Sequence, residues 1–149
     1  MKYSEGGLGR VFVLRLEDGE MLNDTLEAFA REHGVSRALA YYVGGVAGGS
    51  RLVVGPDAGR THAIIPLVHA LEGTQEAFAV GTLFPNEAGD PVLHMHAASG
   101  REGGATVGCT RAGMKTWLVG EIVLIEILGT KAFRKTDPGT GFELLQATA

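Results

Sequence analysis

At 149 residues the chain suits a single domain spanning 1–149, large enough to bury a core without disulfides or a structural metal to support it. A formal net charge of −4 disfavours a surface dominated by phosphate-neutralising cations, and the single cysteine excludes an internal disulfide, which makes a reducing cytoplasm the default. No apolar run reaches the ~20 residues that cross a bilayer and the first residues lack an apolar signal core, so a soluble, cytoplasmic chain with no membrane partner is expected.

In chain order, Gly9–Leu16 reads as a first strand, with Val11, Val13 and Arg15 on one face and Phe12, Leu14 and Leu16 on the other. Asp18-Gly19 ends it. A helix follows from about Met21 to His33, because Leu22, Leu26, Phe29 and Ala30 form an apolar stripe; Gly34 closes it as a left-handed residue. Beyond it, glycine and proline separate strands at Ala38–Val46, Arg51–Val54, His62–Glu72, Ala77–Phe84, Val92–Ser99 and Trp117–Leu128. Ile122–Leu128 is apolar on nearly every residue, the pattern of a central strand covered on both faces. Asp137-Pro138-Gly139-Thr140-Gly141 reads as a turn that packs Phe142–Leu145 back on the body. One helix among many strands, with no βαβ alternation, predicts an α+β fold built on a mainly antiparallel sheet.

Chemistry concentrates in Leu93-His94-Met95-His96. A two-residue spacing on a strand sends both imidazoles to one face, roughly 6.5–7 Å apart along it, where one ion can touch both. The glycines at 100, 103, 104 and 108 predict a turn returning Cys109 beside the pair, so the candidate metal site is His94, His96 and Cys109. His33 suits a helix C-terminus better than a site. His62 and His69 are oddly spaced on one strand and are set aside. Glu121 and Glu126 enter an apolar strand and need partners where buried. The clusters Arg10/Arg15, Arg111/Lys115 and Lys131/Arg134/Lys135 read as solvated faces or surface ion pairs. The glycine runs 6–9 and 44–49 are tight turns rather than phosphate loops, since no Lys-Ser/Thr follows them.

The order of Gly9–Leu16, His33-Gly34-Val35, Val43-Gly44-Gly45-Val46, Pro66-Leu67, Leu93–His96, Ser99–Gly103, Val107-Gly108-Cys109 and Gly120–Val123 resembles the PPC domain, conserved in plants and prokaryotes and also called DUF296. The resemblance covers nearly the whole chain. It implies one helix on a strongly bent, mainly antiparallel sheet, a homotrimer and, in prokaryotic members, a zinc held by His-x-His and a later histidine. The first two ligands carry over onto His94 and His96, and Cys109 stands where the family has its third. Zinc accepts thiolate and imidazole alike, so Cys109 reads either as a third ligand or as a small buried thiol. At fold level the architecture is also similar to that of acetolactate decarboxylase, a zinc lyase. That likeness makes Glu121 the candidate for proton transfer and Arg111 the candidate for holding a substrate carboxylate.

Two functions follow. One is a stand-alone trimeric metal-binding module, with DNA as the partner that the plant members imply; the acidic balance and the lack of an Arg-Gly-Arg-Pro tract stand against direct DNA contact. The other is a zinc-dependent small-molecule enzyme or ligand sensor.

Overall fold

The computed structural model describes residues 1–57 and 64–147. Period-two alternation dominates the chain and folds it as β1 (Gly7–Glu17), α1 (Leu22–Glu32), β2 (Ala38–Val46), β3 (Arg51–Pro56), β4 (Pro66–Ala70), β5 (Gln75–Pro85), β6 (Pro91–Arg101), β7 (Gly104–Cys109), β8 (Thr116–Leu128), β9 (Phe133–Thr136) and β10 (Glu143–Gln146). Eight strands make one sheet in the order β1-β8-β2-β5-β6-β7-β3-β4, and β9 pairs with β10 as a separate hairpin. Every ladder is antiparallel. Register shifts between Leu8 and Val11, Gly44 and Gly45, and Val53 and Gly55 are bulges of the kind that bend a strand. The expected α+β architecture with one helix on a mainly antiparallel sheet is what forms.

The inner face of the sheet holds the core. Leu16, Tyr42, Leu83, Met95, Ile122 and Leu124 meet Leu22, Leu26 and Ala30 of α1, with Phe12, Leu14 and Phe29 at the margin. The predicted stripe is therefore the buried one. Gly34 takes φ +64°, and the next amide, Val35, donates to Ala30 at 2.8 Å, which terminates the helix. His33 stacks on Phe29 at 4.1 Å and its Nδ1 lies 3.1 Å from the Phe29 carbonyl, a local role at the helix end.

Glu126 is buried and has the partner that burial requires in Arg10, whose Nε and Nη2 each donate to the carboxylate at 2.8 Å. That bond holds the carboxyl below its usual range. Three expectations need revision. Gly104–Cys109, read as part of a turn, is a full strand. The strand drawn over His62–Glu72 is shorter, Pro66–Ala70; His69 pairs with Leu52, and His62 lies outside the described residues. Among the described residues the expected double cover of β8 is also missing, because Glu121 and Val123 on its outer side are exposed.

Candidate metal centre

β6 places His94 and His96 on the outer face because Met95 between them is fully buried on the inner one. Register then fixes their neighbours: His94 faces Thr82, and His96 sits between Val80 of β5 and Cys109 of β7. The two Nε2 atoms are 3.1 Å apart. The ligand atoms of His94, His96 and Cys109 all lie within 4.8 Å of one another. A tetrahedral zinc with Zn–N near 2.05 Å holds its nitrogens about 3.3 Å apart, so the histidine pair has the required span, with the thiol within 4.8 Å of it. Two imidazoles and one thiolate form a borderline-soft donor set that fits zinc and leaves a fourth position for a water or substrate.

Cys109 is held as firmly as the histidines. It is 3% exposed, and the hydroxyl of Thr110 after it lies 2.7 Å from Asn23 Oδ1 and 3.3 Å from the Met95 carbonyl, tying this corner to both α1 and β6. Burial, and then the positive charges of Arg134, His96 and Arg111, push His94 below the usual histidine range. His94 therefore favours the neutral imidazole, the form that ligates.

A pocket of about 400 Å³ opens on the trio, with Val53, Val54, Pro66 and Val107 among its apolar walls and Arg111 and Phe142 on its rim. The Arg111 guanidinium rests over the Phe142 ring, 5.1 Å from its centroid. Arg111 thus stands where the sequence reading wants it. Glu121 does not: it lies on β8, paired with Arg15 and Val43, and β2 and β5 separate β8 from β6. Three strand spacings alone put it about 14 Å from β6, and its row meets that strand at Ala98, two residues beyond His96, so the histidines of the same chain lie farther still. Its nearness to Cys109 in sequence conceals that distance, since the chain crosses the sheet in between.

Two residues of the surroundings escape the sequence reading. Arg134 belongs to a Lys/Arg cluster that looks solvated, yet it is 4% exposed and bonds to β5 and β6 beside His94. Phe142 belongs to the predicted C-terminal packing segment, but nothing local marks it as a wall of this pocket. The outer face also carries an apolar row in strict register. Val13, Val123, Tyr41 and Val80 lead across the sheet to His96, Cys109 and Val53.

The sequence profile of the Plants and Prokaryotes Conserved (PCC) domain matches residues 3–128. Among curated proteins none matches this sequence. A plant- and prokaryote-conserved (PPC) protein from Pyrococcus horikoshii superposes with a TM-score of 0.83 at 24% identity, covering 100% of this chain and 99% of that one. A metal-containing protein from Archaeoglobus fulgidus gives 0.82 at 24% identity, with 98% and 99% covered. A candidate DNA-binding protein from Bacteroides thetaiotaomicron gives 0.74 at 16%, with 95% and 97% covered. At these identities the likeness establishes a shared fold.

Proposed function

The chain belongs to the Plants and Prokaryotes Conserved (PCC) domain family, and from that premise we propose that it is a metal-binding module that holds zinc on His94, His96 and Cys109 and works as a homotrimer. The observation that carries the reading is the convergence of three ligand atoms within 4.8 Å on a framework of two adjacent strands. The description of the Archaeoglobus fulgidus protein as metal-containing supports it. When bound, zinc supplies a Lewis acid that polarises a carbonyl or acidifies water. The chain's own residues hold the ion, shield it on the β7 side and leave it open to the pocket.

Assembly is favoured by the outer sheet face. Val11, Val13, Tyr41, Val43, Phe78, Val80 and Val123 are all at least 38% exposed there, and a contiguous apolar area of this kind is uncommon on a free surface. A second reading, in which the module is an enzyme or sensor for a small molecule, draws on the pocket beside the trio. Association with DNA comes from the resemblance and from the description of the Bacteroides protein. Titrating AT-rich duplex at two salt concentrations tests it, and no binding at low salt removes it.

The metal reading is tested by elemental mass spectrometry on protein purified without a histidine tag, with size-exclusion light scattering for the assembly. About one zinc per chain is expected for the wild type, falling at least tenfold in His94→Ala and Cys109→Ser. A wild type below about 0.1 metal per chain under non-chelating conditions refutes the centre. A monomeric mass refutes the trimer.

A further inference from the structure

Ser99 is a buried hydroxyl with nothing to bond. It lies on β6 three residues beyond His96, an odd spacing that turns its side chain to the inner face of the sheet, where it is 0% exposed between Ala77 of β5 and Thr106 of β7. Among the described residues its Oγ has no hydrogen-bond partner. On β5, Gln75 uses its amide nitrogen on the Glu72 carbonyl at 3.3 Å, and its buried Oε1 is likewise unpartnered. Folded proteins seldom leave two such atoms on one groove, because each forfeits the hydrogen bonds it makes with solvent.

Both residues line a groove of about 510 Å³ that shares no residue with the pocket over the metal trio. Its walls are mostly polar. His69 of β4 enters it because its ladder partner, Leu52, faces the core and directly opposed residues share a face. Glu72 joins from the β4–β5 turn, Thr106 from β7 and Glu102 from the turn before β7. Arg101 is the one lysine or arginine on the groove, and its fork is engaged: Nη1 donates to the Thr74 carbonyl at 3.0 Å, while Nε and Nη2 both reach Glu102 Oε1 at 3.1 Å. Gly73 makes room for it, since a Cβ added there would sit 2.7 Å from Nη1. Two carboxylates against one guanidinium leave a formal negative charge, and the polar atoms left over are chiefly acceptors. Among the described residues no second set of histidine, cysteine and carboxylate atoms converges closely enough to hold a metal ion. The groove therefore suits an organic donor.

We propose that this groove binds a small primary ammonium ion carrying a hydroxyl group, an amino alcohol. The ammonium brings the positive charge the groove lacks, and its three N–H donors meet the Glu72 carboxylate and Gln75 Oε1. The hydroxyl of the ligand pairs with Ser99 Oγ, which both donates and accepts. Binding thus supplies partners to the two buried atoms that the fold itself leaves without one. A quaternary ammonium has the charge but no donors, and a neutral diol has donors but no charge, so each lacks half of what these walls select. The site stands apart from the zinc reading, because Ser99 and the two histidines are on opposite faces of β6.

Isothermal titration of the full chain with ethanolamine, ethylene glycol and tetramethylammonium, near neutral pH and at physiological salt, tests the site. Ethanolamine is expected to bind about tenfold more tightly than either of the others. Amide shifts in an NMR titration should fall on residues 69–75 and 99–106. Glu72→Gln, on an exposed side chain, should weaken ethanolamine about tenfold, and Ser99→Ala about fivefold. Ser99→Ala should also melt no lower than the wild type in the absence of amine, because a methyl replaces a hydroxyl that bonds nothing in the fold. Equal affinity for the three probes, no ethanolamine binding below about 10 mM, or shifts centred on His94 and His96 overturns the proposal. So does a Glu72→Gln protein with wild-type affinity, or a Ser99→Ala protein less stable than the wild type.

Discussion

Gly81→Ala tests whether the packing behind the histidines sets the metal centre. Gly81 on β5 faces Met95 across the ladder, and a Cβ built there lies 2.5 Å from Met95 Cβ and 2.8 Å from both Met95 Cα and the His94 carbonyl oxygen. Ordinary carbon contacts begin near 3.5 Å, so β6 must retreat by the better part of an ångström at the residue between the two ligands. Overpacking of this kind costs about 1–3 kcal/mol, or roughly 2–10 °C in Tm for a chain of this size. A supporting residue that shifts metal ligands typically costs 10–100-fold in affinity. Differential scanning calorimetry and zinc competition against a chromophoric chelator read the two effects. Gly7→Ala, where nothing lies within 4 Å of the added methyl, is the control and should stay within about 0.5 kcal/mol of wild type. A Gly81→Ala protein with wild-type Tm and wild-type zinc affinity would refute the argument that this backbone approach positions the site.

Leu26→Ala removes a fully buried side chain at the centre of the helix–sheet contact and should cost about 3 kcal/mol, seen as a Tm lower by roughly 6–12 °C. Glu27→Gln should act with the opposite sign. Burial raises the Glu27 carboxyl above its usual value, so the native state holds that proton more tightly than the unfolded chain, and stability from the protonated form is lost as pH rises through the native pKa. Glutamine keeps an acceptor for the Leu93 amide and has no charge to bury. Thermal melts should therefore show a gain of about 1–2 °C at pH 7 that vanishes near pH 4.

Much of this molecule is legible along the chain because periodicity reports burial. Phe12, Leu14 and Leu16 share one face of β1 as expected, and it is the inward one, while Leu22, Leu26 and Ala30 bury the predicted helical stripe. The two histidines share a face for the same reason. β7 is hidden because the glycines at 104 and 108 read as turn residues and outweigh the short alternation of Ala105, Val107 and Cys109, and its strand character is fixed by pairing with β6. Arg134 is misleading in sequence, since Lys131 and Lys135 flank it and stay exposed while it alone turns inward. Glu121 fails as a same-chain neighbour of the histidines because sheet order, which no local pattern encodes, sets three strand spacings between them. The apolar outer side of β8 was legible as apolar, but not as a face left open by its own chain.

Among the described residues, Val53 and Cys109 form the single ladder pair joining β3 to β7, supported by one bond from the Arg51 amide to the Gly113 carbonyl at 2.7 Å. β3 and β4 thus form a two-stranded edge ribbon that joins the sheet through this one ladder pair and is otherwise anchored by Leu52 in the core, and such ribbons have little stability of their own. Its suspension point is the thiol residue. Whatever engages the Cys109 sulfur acts as a rivet through the weakest seam of the sheet, and amide exchange along the ribbon becomes a gauge of how tightly that rivet is set.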